Sequence, residues 1–143
     1  MKNVSAKNYL SQGKWIEQEI KCLQEEREEL FAKTLKNPIW SDMKVQSSGS
    51  KDTEDIYIIL TEYADWIASK HNELVKKRYE ISKELDKLED KQLQYLLRMR
   101  YVMWFKWETI AEVMGYDERY IYKLHRKALH YFGKKMTLKD SRK

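Results

Sequence analysis

The chain has one proline, one cysteine and four glycines in 143 residues, and each scarcity excludes something. So little Pro and Gly leaves few turns for a many-stranded sheet, so an all-α fold is expected. Cys22 has no intramolecular disulfide partner, and His71, His125 and His130 stand at no metal-ligand spacing, which excludes a disulfide scaffold and a structural zinc site. No run approaches the roughly 20 apolar residues that cross a bilayer, and Met1 to Leu10 lacks the apolar core of a signal peptide. A soluble, cytoplasmic protein without membrane contact is the expectation. Glycines stand only at 13, 49, 115 and 133, so no phosphate-cradling loop can be written. Ser47, Ser48 and Ser50 have no nearby His, and nothing apolar surrounds Asp86, Glu89 and Asp90 to shift a carboxyl pKa. No catalytic residue, cofactor or metal is expected.

What is present is charge, 36% of residues against 42% apolar, with a mean hydropathy of −0.82. That suffices for apolar stripes on helices but not for elements buried all round. The charge is unevenly placed. Residues 91–143 hold thirteen Lys/Arg against five acids, a balance of +8, which leaves −3 for the rest of the chain. The positive end suits a polyanion.

From about Ser5 to Lys36 the positions Ile16, Ile20, Leu23, Arg27 and Leu30 follow the 4,3,4,3 steps of a helical seam, predicting one long amphipathic helix. The acidic cluster Glu25, Glu26, Glu28 and Glu29 reads as its solvated face. Pro38 ends that helix, and residues 37–52, with Ser47, Ser48, Gly49 and Ser50, read as a polar loop. Asp52 or Thr53 is expected to cap a second helix of some 35 residues, ~50 Å at the usual rise. Its stripe is Ile56, Leu60, Tyr63, Ile67 and, after a slipped step at Lys70 or His71, Leu74, Arg78, Ile81, Leu85 and Leu88. Two such helices can fold back on one another or pair with a second subunit. Residues 1–89 are thus expected to serve oligomerisation or partner binding. After Leu88-Glu89-Asp90 the pattern turns aromatic and basic, so a second domain is expected over 90–133. Gly133 is expected to close its last helix, with 134–143 a basic flexible tail.

Within that domain, Thr109 to Leu124 has the spacing of a helix-turn-helix. Ile110 and Met114 lie one turn apart, Ala111 is small where a second helix crosses, and Gly115 stands where a tight turn needs positive φ. Tyr116 is expected to plug the corner, Asp117 to cap the next helix, and Ile121, Leu124 and Ala128 to face inward. Arg119, Tyr122, Lys123, Arg126 and Lys127 are left on the outer side, where a major-groove reader needs long donors. Tyr95, Tyr101, Trp104, Phe105, Trp107, Tyr131 and Phe132 are expected to form the core of this small unit rather than a stacking platform for bases. His125 and His130 are expected on its surface or at phosphates.

The stretch Leu-Glu-Asp-Lys-Gln-Leu-Gln-Tyr-Leu-Leu-Arg-Met-Arg-Tyr from Leu88, with Trp-Glu-Thr-Ile-Ala-Glu-Val-Met-Gly-Tyr and a closing Leu-His-Arg-Lys-Ala-Leu, resembles region 4 of bacterial sigma factors. With its helical leader and polar connection, the whole chain resembles small phage-encoded regulators of Gram-positive bacteria, of the ArpU and RinA late-gene activator type. Where sigma domains usually carry glycines after the Arg-Tyr pair this chain has Val102 and Trp104, and where they cap the next helix with Ser or Thr it has Lys106. The other sigma regions have no counterpart.

The resemblance implies a sequence-specific double-stranded-DNA-binding transcriptional regulator in the cytoplasm of a bacterial host. Arg119, Lys123 and Arg126 are the candidates for base edges, Tyr122 for a thymine methyl or a phosphate, and Lys106, Lys127, Lys134 and Lys135 for phosphates. A homodimer is expected, and host RNA polymerase is a further candidate partner. The alternatives are a phage terminase small subunit and a sigma mimic that binds RNA polymerase or an anti-sigma partner.

Overall fold

A computed structural model of the chain describes residues 2–36 and 47–141. Among these residues it is helical throughout, without a strand: α1 (Lys2–Leu10), α2 (Gln12–Lys36), α3 (Ser47–Asp86), α4 (Lys91–Tyr101), α5 (Trp107–Met114) and α6 (Glu118–Ser141). No helix among them is long and apolar enough to cross a membrane. They group into two compact units, Met1–Trp15 with Leu74–Lys143, and Ile16–Glu73.

The unit Ile16–Glu73 is built from α2 and α3. The stripe read from the sequence faces inward, with Ile16, Ile20, Leu23 and Leu60 buried, each burial stabilising by roughly 1.5–3 kcal/mol. Position 19 meets 70, 26 meets 63 and 27 meets 60, so the two helices run in opposite directions: Lys70 Nζ to Glu19 is 2.8 Å and Tyr63 Oη donates to Glu26 at 3.2 Å. The polar interruptions at Arg27 and Lys70 are satisfied. Arg27 Nε donates to the Leu60 carbonyl at 3.0 Å, and Lys70 occupies the slipped step with its ammonium between Glu19 and Glu73.

The other unit gathers residues far apart in sequence around one core of Ala6, Leu10, Ile81, Leu85, Leu88, Leu93, Leu96, Leu97, Met99, Tyr101, Ile110, Ile121, Ala128 and Phe132. Asp90 caps α4, its Oδ1 accepting from the N–H groups of Gln92 and Leu93 at 3.0 and 3.2 Å. Gln94, buried one turn on, donates to the carbonyls of Leu85 and Leu88 where the chain leaves α3, the Leu85 carbonyl also accepting from the Leu88 N–H. Arg98 reaches the Ser82 carbonyl. α1 packs on α6 with the Tyr9 ring stacked 6.0 Å from Phe132.

Several element boundaries differ from the sequence reading. The expected single helix from Ser5 to Lys36 is two, breaking at Ser11, whose carbonyl accepts from both Lys14 and Trp15 while its N–H returns to Lys7. Ser11 and Gly13 together supply the small, flexible backbone at which helices kink. α3 begins at Ser47, so neither Asp52 nor Thr53 is its cap; the part of the expected loop over 37–46 lies outside the described residues. α6 passes through Gly133 and reaches Ser141 instead of giving way to a flexible tail. Gly costs about 1 kcal/mol inside a helix; here Gly133 is itself buried and is followed by Met136, which packs on the core. The core unit also extends beyond the 90–133 division, taking in residues from both α1 and α3.

Candidate nucleic-acid interface

α5 ends in a turn that its sequence dictates. Gly115 has φ 74°, in the left-handed region that favours glycine. The Tyr116 N–H bonds back to the Ala111 carbonyl at 3.0 Å and the Gly115 N–H to Glu112, which satisfies two carbonyls in the last turn of α5. The carbonyl of Asp117 then accepts from Ile121 to open α6. Ile110, Ile121 and Ala128 are fully buried, and Ala111 and Leu124 nearly so, as the spacing predicts.

The outer face of α6 follows from the same periodicity. Arg119, Tyr122, Lys123, Arg126 and Lys127 are exposed, as are His130 and Lys134 further along. Arg119, Lys123, Arg126 and His130 recur at steps of four, three and four and therefore share one stripe. Lys106 is also exposed, at the first cap position of α5, where its side chain makes no capping hydrogen bond. Lys135 stands apart from these cations: it is half-buried and its ammonium donates to the Lys87 carbonyl.

Tyr122 is braced from behind. Its ring lies 5.4 Å from that of Trp107, and the Arg100 guanidinium sits 4.4 Å from the centre of the same indole while donating to the Phe105 carbonyl. The sequence reading missed this row, since nothing in local spacing links positions 100, 107 and 122. The two histidines separate. His130 is exposed, but His125 packs against Trp107 at 4.6 Å and Tyr101 at 5.7 Å, and its Nε2 is 2.6 Å from the Tyr101 hydroxyl. Burial first, then the charges of Lys7, Arg100 and Arg126, bring the His125 pKa down to about 4, so it is a neutral strut rather than the surface or phosphate-contacting residue expected.

The aromatic set divides similarly. Tyr101 and Phe132 are core, and Trp104, Phe105 and Trp107 pack partly against it, but Tyr95 and Tyr131 are 48% and 47% exposed. Tyr116 is no corner plug. It is 40% exposed, accepts a hydrogen bond from Gln92 Nε2 at 2.8 Å, and meets Tyr120 edge-on. A phenol hydroxyl held at the surface by an amide is satisfied without burial, whereas burying it requires a partner inside. Between α4 and α5, at the positions where glycine is usual in sigma domains, Val102 remains right-handed but Trp104 has φ 57°, the one positive φ outside glycine among the described residues.

A family model described as "Protein of unknown function (DUF1492)" matches residues 34–133, and the chain belongs to that family. No curated protein and no solved structure matches it.

Proposed function

We propose that this DUF1492 chain is a sequence-specific double-stranded-DNA-binding regulator of transcription, of the phage late-gene activator kind. The observation that carries the reading is the division of α6: Ile121, Leu124, Ala128 and Phe132 are buried, while Arg119, Lys123, Arg126 and Lys127 are exposed on the opposite side, behind a short helix and a left-handed glycine. In this reading α5, the turn at Gly115 and α6 form a helix-turn-helix, and α6 enters the major groove. There Arg119, Lys123 and Arg126 offer donors to base edges, and Tyr122, steadied by Trp107, meets a thymine methyl or a phosphate. Lys106, Lys127 and Lys134 meet phosphates. Lys135, bonded to Lys87, serves the same end only after releasing that carbonyl.

The opposed α2 and α3 make a helical hairpin that presents the DNA-binding part as a homodimer, with host RNA polymerase as a further partner. Because the two seams already cover each other, dimerisation must use other apolar residues, and Phe31, Leu35, Ile59 and Trp66 are exposed on that unit. Sedimentation across a concentration series tests the dimer; a monomer at every concentration removes the paired half-site. Fluorescence anisotropy with duplexes from the chain's own gene neighbourhood, at several salt concentrations, tests DNA binding. The expected affinity falls steeply with salt, with a log–log slope of about −0.9 per phosphate neutralised. Absence of binding even at low salt retires the DNA reading in favour of a sigma mimic that binds protein.

A further inference from the structure

Beside the second half of α6 lies a cleft of about 340 Å³, closed on its other side by the corner where α3 gives way to α4. Its floor is apolar, with Leu88 and Leu93 both buried, and the half-exposed Tyr131 ring lines it as well. Its two sides carry opposite charge: α6 brings Lys127, Lys134 and Lys135, and the corner brings Glu89 and Asp90. Two of these groups are already engaged. Asp90 caps α4, and Lys135 holds the Lys87 carbonyl. Lys127 Nζ stands 5.9 Å from the centre of the Tyr131 ring, and among the described residues neither Lys127 nor Lys134 is held in an ion pair.

A cleft of this size lies in the range of small-molecule sites, which combine an apolar lining with a few polar groups. A bare phosphate would gain nothing from Leu88, Leu93 and the Tyr131 ring, and would meet Glu89. A neutral apolar molecule would gain nothing from two ammonium groups. The combination selects a molecule that has a flat apolar body and an anionic group at one end. We propose that the cleft is a binding site for a small aromatic carboxylate, its ring on Leu88, Leu93 and Tyr131 and its carboxylate on Lys127 and Lys134. The same two lysines are candidate phosphate contacts, so an occupied cleft withdraws cations from the DNA face. That coupling rests on the DNA-binding reading; the binding of the carboxylate does not. It is reciprocal, because each ligand must weaken the other by the same factor.

The test is a titration of the isotope-labelled full chain with 2-naphthoate, followed by amide chemical shifts. Saturable shifts confined to residues 88–93 and 127–135 are expected. Lys127→Gln or Lys134→Gln should raise the dissociation constant about tenfold, the loss of one charge-assisted contact at an open site. Glu89→Gln should lower it, and 2-naphthalenemethanol, which keeps the ring without the charge, should bind weakly. Shifts that do not saturate, that spread over the whole chain, that are as large for the alcohol as for naphthoate, or that persist unchanged when Lys127→Gln and Lys134→Gln are combined overturn the proposal. Anisotropy with a bound duplex supplies the second arm. Naphthoate binding without any duplex binding leaves the cleft standing and removes the DNA reading, whereas duplex affinity unchanged at saturating naphthoate removes the coupling alone.

Discussion

The Tyr101 hydroxyl and His125 Nε2 lie 2.6 Å apart and join α4 to α6 behind the exposed face. Burial pushes the Tyr101 pKa up to about 12 and brings that of His125 down to about 4, so both partners are neutral at pH 7. Unfolded, His125 takes up a proton near its ordinary 6.5; folded, it does not until near 4. The unfolded chain therefore binds more protons between these values, and the stability associated with His125 is complete above 6.5 and is lost as pH falls toward 4. Urea unfolding at about pH 7.5 and about pH 5.5 should show a drop in the parent that His125→Gln reduces. Equal drops in the two proteins would mean that His125 is not sequestered.

Arg119→Ala or Arg126→Ala should cost ~1–3 kcal/mol on a specific site and relax base preference, whereas Lys134→Ala should weaken all duplexes about equally. All three side chains are exposed, so the thermal midpoint should stay close to that of the parent. Competition binding on a randomised duplex library reads both effects. Unchanged preference in both arginine variants would place the reading face elsewhere.

At Gly115 a Cβ would meet nothing within 4 Å, so the cost of a side chain there is that of φ 74° alone. Gly115→Val should lose about 1–3 kcal/mol, and Gly115→Asn clearly less, because Asn tolerates the left-handed region. Denaturant midpoints distinguish them, and an Asn variant as damaged as the Val variant points to a steric cause instead.

Trp104 holds a backbone conformation suited to glycine, yet its ring stacks edge-on against Tyr101 at 5.7 Å and carries Lys14 over its face at 5.1 Å. Its Nε1 is buried and has no hydrogen-bond partner among the described residues. Trp104→Gly relieves the backbone but loses the ring, for a net loss of about 1–3 kcal/mol. Trp104→Phe keeps much of the ring and removes the unmet donor, and should be neutral or stabilising by up to about 1 kcal/mol. Paired unfolding curves decide which contribution is larger.

The segment from Ile110 to Ala128 was legible because its determinants are local. Apolar residues one turn apart, a small residue and a glycine at fixed offsets specify which side faces in, whatever lies further away. The seams of α2 and α3 were legible for the same reason, down to the interruption at Arg27. Helix ends were less so. Gly133 is a stop signal by propensity, but its own burial and the packing of Phe132 and Met136 outweigh it, and only tertiary contacts could reveal that. The packing of α1 on α6 left one trace in the sequence, Ala6 and Leu10 one helical turn apart. Tyr116 looked like a plug because aromatics at turns often are, and its exposure follows from a partner, Gln92, on another helix.

The meeting of α1 with α6 also sets an order on events in the cell. α1 leaves the ribosome before α6, so the side of α1 that packs on α6 stays uncovered until that helix is made. Closing so long a loop is entropically costly and is repaid only once Phe132 arrives to meet Tyr9. The outward cations of α6 therefore become fixed in place at the very step that seals the core, and a chain cut short before that helix would leave the tunnel with a sticky apolar edge that chaperones and proteases can find.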